Sequence, residues 1–306
     1  MKKDFVTIAD WSTEEILQTF DLARELKARF KAGEVYHPLK GKTLAMVFQK
    51  PSNRTRVSFE VGMYQLGGHA LYLGPAEIGL GKRESVADVA RVLARYVDGI
   101  MARVFDHDHV VQLAEWASVP VINGLSDLVH PCQIMGDMLT IIEHRGRFEG
   151  VHVAWVGDGN NVCHSWLNLA AKIPFKLSIA TPEGYEPKAE FVERARAAGV
   201  SEIFLYHSAE EAVRGAEFVY TDVWASMGQE EEAEKRSQVF APFQVNESLL
   251  KLADPNVKFL HCLPAHRGEE VTDEVMDGPH SIVFDQAENR LHIQKAIMVK
   301  LMSEQA

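Results

Sequence analysis

Short runs of β-branched and apolar residues alternate with longer amphipathic stretches along the chain, and this alternation constrains the fold more than any other sequence feature. A strand, a helix and a further strand in succession are typical of a parallel sheet covered by helices. We therefore predict an α/β fold with two doubly wound domains and mainly parallel sheets. A length of 306 residues suits two average domains.

The predicted strands form two sets, one in each half of the chain. They are Thr43–Phe48, His69–Leu73, Asp98–Val104 and Pro120–Asn123, then Val151–Val156, Lys176–Ala180, Glu217–Tyr220, Val257–Leu260 and Ser281–Phe284. Apolar residues at helical spacing predict helices at Ser12–Phe30, Val57–Leu66, Ser85–Tyr96, His107–Ala117, Pro131–His144 and Ala287–Met302.

A break in periodicity at Arg145–Gly150 separates the two sets of strands. We predict a first domain over residues 1–147 and a second over residues 148–286. The last segment, 287–306, is long enough for a C-terminal helix that packs back on the first domain.

The charge balance excludes several classes of partner. Asp and Glu number 43 against 32 Lys and Arg, which gives a net charge of −11. Such a chain has no general attraction for nucleic acid or for an anionic membrane. There is no apolar run long enough for a membrane span, and the N-terminal residues lack the pattern of a secretory signal. Three cysteines do not suggest a disulfide framework, so we predict a soluble cytoplasmic protein.

Polar residues collect directly after the predicted strands. These positions are Ser52–Arg56, Arg103, His130–Gln133, Gly157–Asn161, Asp222 and His261–Pro264. In open α/β sheets, ligands bind outside the carboxyl ends of the strands. We therefore expect the loops of both halves to line one ligand-binding cleft.

The segment Ser52-Asn-Arg-Thr-Arg56 combines two hydroxyls with two guanidiniums at the start of a predicted helix. Hydroxyls, guanidiniums and the open N–H groups of a helix start can cradle a phosphate. The alternative is a helix cap, from Ser52 or Thr55, followed by solvated arginines. The pattern of a P-loop is absent from the sequence.

The segment Val153–Asn161 resembles a dinucleotide fingerprint only in part. Gly157 and Gly159 are present, but Val162 occupies the position of the third glycine. The acid expected about 20 residues further on is also missing. These departures disfavour a nicotinamide cofactor and leave open a small polar ligand bound through asparagine side chains.

Three pairs of histidine and cysteine raise the alternative of a zinc site. They are His130 with Cys132, Cys163 with His164, and His261 with Cys262. None has the spacing of an established zinc motif, and a buried cysteine is more often a small apolar residue. No GxSxG motif supports a serine hydrolase.

Several motifs, in order along the chain, resemble the aspartate and ornithine carbamoyltransferase family. Ser52-x-Arg54-Thr55-Arg56 resembles its carbamoyl phosphate signature, and Arg103, His130-Pro-x-Gln133 and Asp285–Arg290 match later motifs. Asp222-x-x-x-Ser226-Met227-Gly228 and His261-Cys-Leu-Pro264 look like the ornithine branch, because the aspartate branch lacks the first and has HPLP for the second. The resemblance covers essentially the whole chain.

The resemblance implies transfer of a carbamoyl group from carbamoyl phosphate to the side-chain amine of ornithine. It assigns carbamoyl phosphate binding to Ser52, Asn53, Arg54, Thr55, Arg103, His130, Gln133, Cys262, Leu263 and Arg290. It assigns ornithine binding to Asn161, Asp222, Ser226 and Met227, and catalysis to Arg103, His130, Asp222 and Cys262. No metal or organic cofactor is expected, because the substrate is already activated.

The resemblance also implies a homotrimer or an assembly of trimers. Many members have a glutamine in a loop that reaches the carbamoyl phosphate site of the neighbouring subunit. An ungapped alignment places Gly79 at that position, so the resemblance assigns no role to it. Lys82 and Glu77 are alternative contributors. The competing functions are a carbamoyltransferase acting on putrescine or N-acetylornithine, a catabolic ornithine enzyme, and a non-catalytic sensor of small molecules.

Overall fold

The computed structural model describes residues 2–225 and 232–303 and divides into two units. Unit 1 contains residues 1–139 and 288–306, and unit 2 contains residues 140–287. The last segment of the chain therefore belongs to unit 1, as expected for a C-terminal helix that returns to the first domain. Within the described residues, no helix combines the length and the apolarity that crossing a membrane requires.

Unit 1 is built on a four-stranded parallel sheet in the order β2-β1-β3-β4. Its strands are β1 (Thr43–Phe48), β2 (His69–Leu73), β3 (Gly99–Arg103) and β4 (Val121–Leu125). Its helices are α1 (Thr13–Lys31), α2 (Asn53–Gln65), α3 (Pro75–Ile78), α4 (Val86–Leu93), α5 (His107–Trp116) and α6 (Pro131–Arg145), which continues into unit 2.

Unit 2 is built on a five-stranded parallel sheet in the order β7-β6-β5-β8-β9. Its strands are β5 (His152–Val156), β6 (Lys176–Ala180), β7 (Glu202–Tyr206), β8 (Phe218–Thr221) and β9 (Lys258–His261). Its helices are α7 (Asn161–Ala170), α8 (Ala189–Ala198), α9 (Ala209–Val213), α10 (Ala233–Phe240), α11 (Glu247–Leu250) and α12 (Asp273–Met276). Helix α13 (Val283–Met302) begins here and continues into unit 1.

The predicted α/β fold with doubly wound parallel sheets is confirmed. The central strands β1, β3, β5 and β8 are almost entirely buried, which is why they read as continuous apolar runs rather than as alternating patterns. Most predicted strands agree with the structure within a residue or two, the usual margin at element ends.

Two predictions along unit 2 need correction. The predicted strand Ser281–Phe284 is wrong, because only an isolated bridge joins Phe259 to Ser281 and α13 begins at Val283. A short apolar run does not distinguish a strand from the first turn of a buried helix. The edge strand β7 was absent from the prediction, and its five residues are only partly buried or exposed.

Candidate functional site

The winding of the sheet in unit 1 brings two predicted site segments together. The chain runs outward from β1 to β2 on one side and from β3 to β4 on the other. The carboxyl ends of β1 and β3 therefore flank the point where the winding reverses, the usual position of a ligand in such sheets. Phe48 pairs with Arg103 in register, so Arg103 emerges beside the segment that follows β1.

That segment continues directly into a helix. The Ser52 hydroxyl caps α2 by accepting the N–H of Thr55 at 3.3 Å, and the helix begins at Asn53 rather than at the predicted Val57. The apolar periodicity starts later than the helix because its first turn carries polar residues. The positive end of the helix dipole lies here, so the capping and anion-binding interpretations of Ser52 are compatible.

The hydroxyl of Thr55 is the meeting point of two arginines in unit 1. Arg103 Nη1 lies 3.2 Å from Thr55 Oγ1, and Arg290 Nη2 lies 3.4 Å from the same atom. Thr55 is 1% exposed, Arg103 7% and Arg290 4%. Two buried cations around one hydroxyl create a strongly positive position that favours a bound anion.

Gln133 is held in the same group of residues. Arg290 Nη1 donates a hydrogen bond to Gln133 Oε1, and Gln133 Nε2 donates to Asp137 Oδ1 at 2.8 Å. The amide of Gln133 is thereby fixed in orientation. Gln133 lies in the first turn of α6, about one helical turn beyond His130, which explains why a residue three positions from His130 joins the group.

His130 lies directly before α6, and its carbonyl accepts the N–H of Gln133 at 3.1 Å. Burial and then the positive charges of Arg290, Arg103 and Arg54 hold the pKa of its imidazole well below the ordinary value of 6.5. His130 is therefore neutral near pH 7. A neutral imidazole keeps one N–H, which can donate a hydrogen bond to a developing oxyanion.

Arg56 does not belong to this group. Its side chain pairs with Glu60 at 3.2 Å and lies over the ring of Tyr72 at 4.0 Å. The Ser52–Arg56 segment therefore contributes only one guanidinium, that of Arg54, to the electrostatics around His130. The other nearby guanidiniums come from Arg103 and Arg290.

The strand order of unit 2 also brings predicted site segments together. The chain runs outward from β5 to β6 and β7 on one side and from β8 to β9 on the other, so β5 and β8 flank the point where the winding reverses. The segment Gly157–Asn161 follows β5, and Asp222 follows β8 directly. Strand β9 pairs with β8 so that Thr221 lies opposite His261, which brings Asp222 and Cys262 to the same edge.

Asp222 is the centre of the polar group in unit 2. Its Oδ1 accepts a hydrogen bond from Cys262 Sγ at 2.9 Å, and its Oδ2 accepts one from Asn160 Nδ2 at 2.8 Å. The Oδ1 of Asn160 also caps α7 by accepting the N–H of Val162 at 2.9 Å and that of Cys163 at 3.2 Å. The carboxylate of Asp222 is thus oriented by two side chains.

Asn160 belongs to this group, although the family resemblance assigns a role only to its neighbour Asn161. The pair Asn160-Asn161 directly after a buried strand was the signal in the sequence. Asn161 is the first residue of α7 and follows Asn160 directly.

Gly159 explains why the glycines of this loop do not form a dinucleotide site. Its N–H donates to the carbonyl of Tyr185 at 2.9 Å. A Cβ atom at Gly159 would lie 2.2 Å from the backbone nitrogen of Pro187. The glycine therefore allows two backbone segments of the protein to approach, in the place where a dinucleotide fingerprint would admit a pyrophosphate.

His261 fixes the backbone around Cys262. Its Nε2 lies 3.1 Å from Glu270 Oε1, and its Nδ1 accepts the N–H of Leu263 at 2.8 Å. Leu263 has a φ of 60°, the only positive value among the described residues other than glycine. The hydrogen bond from Leu263 to His261 helps to hold that unusual conformation.

The described residues offer two groups that could hold a metal ion. They are Asp222, His261 and Cys262, and His266, Glu269 and Glu270, with ligand atoms within 4.8 Å of one another. In the first group, both nitrogens of His261 already have protein partners. Two ligands then remain, fewer than the three or four protein ligands of zinc sites.

The other cysteines have no comparable environment. Burial raises the pKa of the Cys132 thiol to about 12 and that of Cys163 well above its ordinary value. Both thiols are therefore protonated at neutral pH, and Cys132 donates to the carbonyl of Asn123 at 3.4 Å. They are structural residues rather than nucleophiles.

A buried ion pair lies beside the polar group of unit 2. Arg236 Nη1 contacts Asp158 Oδ2 at 3.1 Å and also donates to the carbonyl of Trp224 at 2.8 Å. Burial raises the pKa of Asp158 to about 6 although Arg236 acts in the opposite direction. The pair links the loop after β5 to the chain after β8.

The predicted site residues therefore fall into two described groups. Unit 1 contains Ser52, Asn53, Arg54, Thr55, Arg103, His130, Gln133 and Arg290, and unit 2 contains Asn161, Asp222, Cys262 and Leu263. Side-chain hydrogen bonds join Thr55, Arg103, Gln133 and Arg290 in the first, and Asp222 and Cys262 in the second. Ser226 and Met227 lie outside the described residues.

Comparison with known proteins identifies related domains over nearly the whole chain. Residues 3–143 match the model for the carbamoyl-P binding domain of aspartate/ornithine carbamoyltransferase, and residues 149–301 match that for its Asp/Orn binding domain. The ornithine carbamoyltransferase of Syntrophotalea carbinolica is 56% identical over 303 residues, which cover 99% of this chain and 100% of that protein. The chloroplastic ornithine carbamoyltransferase of Pisum sativum is 58% identical, with 99% and 81% covered.

Solved structures give the same result. Ornithine carbamoyltransferase from Pyrococcus furiosus is similar with a TM-score of 0.95 and 52% identity, covering 100% of this chain and 98% of that one. Anabolic ornithine carbamoyltransferase from Campylobacter jejuni is similar with a TM-score of 0.93 and 40% identity, with 98% of each chain covered.

Proposed function

The chain belongs to the aspartate/ornithine carbamoyltransferase family, and we propose that the residues gathered in its two units divide the chemistry of that family's reaction between them. It transfers the carbamoyl group of carbamoyl phosphate to the side-chain amine of L-ornithine, which gives L-citrulline and phosphate in arginine biosynthesis. The domain of unit 1 binds carbamoyl phosphate and that of unit 2 binds ornithine.

The convergence of Arg103 and Arg290 on the hydroxyl of Thr55 is the observation that carries the proposal for unit 1. The leaving phosphate gains negative charge as the bond between carbon and oxygen breaks, so donors that strengthen with that charge accelerate the reaction. We assign the phosphate to Ser52, Asn53, Arg54, Thr55 and Arg103. A guanidinium can donate to two phosphate oxygens at once, which a lysine ammonium does not match.

The carbonyl oxygen of the substrate becomes an oxyanion when the amine attacks. We assign its stabilisation to Arg103, Thr55 and neutral His130, since all three are donors in the same group. Gln133 is assigned to the carbamoyl amide, because its side chain is already oriented by Arg290 and Asp137. The remaining residues proposed for carbamoyl phosphate are Arg290, Cys262 and Leu263.

The attacking amine of ornithine must be neutral. An alkyl ammonium group has a pKa near ~10.4, so a fraction of roughly 10⁻³ to 10⁻⁴ is neutral at pH 7. The new bond between nitrogen and carbon also requires that nitrogen to release a proton. We propose that Asp222 and Cys262, joined by their 2.9 Å hydrogen bond, bind the amine and direct that proton.

We propose Asn161, Asp222, Ser226 and Met227 as the residues that recognise the amino-acid head of ornithine. Neither putrescine nor N-acetylornithine has a free amino-acid head, so these residues would discriminate against both. The relatives named above favour ornithine over those amines, and one archaeal relative is named as anabolic.

We further propose that the protein is cytoplasmic and forms a homotrimer.

A colorimetric citrulline assay tests the function. The purified protein, supplied with carbamoyl phosphate and L-ornithine, is expected to form citrulline and phosphate in equal amounts. Parallel reactions with putrescine and N-acetylornithine should give at most traces of product. Carbamoylation of one of those amines without citrulline would instead identify a different carbamoyltransferase. Sedimentation velocity tests the oligomeric state, with three times the chain mass expected.

A further inference from the structure

Gln49 lies outside every group of residues assigned above, yet it contacts three segments of unit 1. It follows β1 directly, three residues before Ser52. Its backbone N–H donates to the carbonyl of Arg103 at 2.9 Å. Its side-chain Oε1 accepts the N–H of Phe105 at 2.9 Å, and its Nε2 donates to the carbonyl of Leu80 at 3.1 Å.

These partners determine the orientation of the Gln49 amide. A backbone N–H can only donate and a backbone carbonyl can only accept, so Oε1 must face Phe105 and Nε2 must face Leu80. Nδ1 of His109 lies 3.1 Å from Nε2 and 3.3 Å from Oε1, so the tautomer of the imidazole decides which atom of the amide it pairs with. A glutamine satisfies these partners together, whereas an apolar side chain would satisfy none of them.

The contacts of Gln49 close a ring with the proposed carbamoyl phosphate residues. One side of the ring is the segment from Gln49 to Thr55, and the other is the segment from Arg103 to Phe105. Gln49, the first residue of the first segment, bonds to the backbone of the second segment at the Arg103 carbonyl and at the Phe105 N–H. Thr55, the last residue of the first segment, bonds to the side chain of Arg103 at 3.2 Å.

Lys50 strengthens the same end of the ring. Its Nζ lies 4.0 Å from the centre of the Phe105 ring, a cation–π distance. Consecutive residues after β1 thus hold Phe105 through its backbone and through its side chain. The path of the chain just after Arg103 is therefore set by residues that lead into the phosphate-binding helix start.

We propose that Gln49 is a positioning residue for carbamoyl phosphate: through Phe105 it sets the direction in which Arg103 leaves β3, and so the fit of Arg103 and Thr55 to the substrate. This inference rests on the proposed assignment of Arg103 and Thr55 to carbamoyl phosphate. The Leu80 contact serves the packing of the loop, because the Leu80 side chain is buried in the core of unit 1.

Three variants separate these contacts. Gln49→Leu removes the polar side-chain contacts to Phe105, Leu80 and His109 at similar volume. Gln49→Glu keeps an acceptor for Phe105 and loses the donor to Leu80. Gln112→Leu, on α5 of the same unit, makes the same chemical change at a glutamine whose side chain donates to the carboxylate of Asp108.

Gln49→Leu is expected to raise the KM for carbamoyl phosphate about tenfold and to leave the KM for ornithine within about twofold, with a melting temperature within a few degrees of wild type. Gln49→Glu should recover the KM for carbamoyl phosphate to within about threefold, and Gln112→Leu should match wild type. A wild-type KM for carbamoyl phosphate in Gln49→Leu, or an equal rise in both KM values, would overturn the inference.

Calorimetric titration with carbamoyl phosphate alone distinguishes this inference from the proposed function. If the wild-type protein binds carbamoyl phosphate but forms no citrulline, the proposed function is refuted. The role of Gln49 is then still tested by whether Gln49→Leu binds carbamoyl phosphate more weakly than wild type. Equal affinity of wild type and Gln49→Leu would refute the role of Gln49 alone. Absence of binding to wild type would refute both.

Discussion

The Sγ of Cys262 lies 2.9 Å from Oδ1 of Asp222, and the two residues stand at the carboxyl ends of neighbouring parallel strands. They are far apart in the sequence, and the pairing of Thr221 with His261 makes them neighbours. A thiol and a carboxylate joined in this way can share or pass a proton. Asn160 holds the second oxygen of the carboxylate, so its orientation is fixed from both sides.

Substitution of either partner should affect ornithine more than carbamoyl phosphate. For Cys262→Ser we expect the KM for ornithine to rise at least fivefold, and the KM for carbamoyl phosphate, to which Cys262 is also assigned, to rise less. Asp222→Asn should lower kcat/KM for ornithine by about 10²-fold or more, the usual size of a lost proton-transfer group. Initial rates with each substrate varied in turn provide the measurement, and equal weakening of both substrates would contradict this division of roles.

Arg54 and Arg56 make a matched pair of variants. Arg54→Ala should lose most activity, because the positive charge of Arg54 acts on His130 in the proposed phosphate site. The variant should keep its fold, because a partly exposed arginine contributes little packing. Arg56→Ala should keep most of its activity, because Arg56 engages Glu60 and Tyr72. Citrulline formation and circular dichroism would be measured for both. Turnover at the wild-type level in Arg54→Ala would count against the proposed phosphate site.

His130 should make stability depend on pH in a defined direction. Its folded-state pKa lies well below 6.5, so below pH ~6.5 the unfolded chain binds a proton that the folded protein does not. The stabilising contribution is complete above that pH and is lost as the pH falls. Urea unfolding between pH 7 and pH 5 should show a steeper loss of stability for wild type than for His130→Gln, by at most ~1.4 kcal/mol per pH unit. Parallel curves would contradict this expectation.

Gly159→Ala should destabilise unit 2. The added methyl would lie 2.2 Å from the nitrogen of Pro187, where backbone rather than a flexible side chain must move. We expect a loss of about 2 kcal/mol or more in the free energy of unfolding. Gly136→Ala is the control, since its Cβ would have no neighbour closer than 3.4 Å. Similar denaturant midpoints for the two variants would show that the approach of Pro187 does not limit residue 159.

The sequence predicted the fold class well because buried parallel strands and amphipathic helices leave strong local patterns. It failed at Ser281–Phe284, where a short apolar run begins a helix instead of forming a strand. It also missed Glu202–Tyr206, an edge strand whose residues are only partly buried. Local pattern is weakest where a segment is short or lies at the edge of a sheet.

The polar positions after the strands were also visible in the sequence, since they interrupt apolar runs, and the family motifs gave them roles. The partners of those residues were not visible. Nothing local to Asp222 indicates that Asn160 binds it, and nothing local to Thr55 indicates that Arg103 and Arg290 meet at its hydroxyl.

The sequence by itself thus determined the alternation of strands and helices, the acidic charge, and the identity of the polar residues at strand ends. The tertiary structure decided which of those residues meet, because the order of the strands in each sheet determines which segments, far apart in the sequence, become neighbours. It also decided that His130 is neutral and that Gln49 joins three segments, since burial and hydrogen-bond partners exist only in the folded chain.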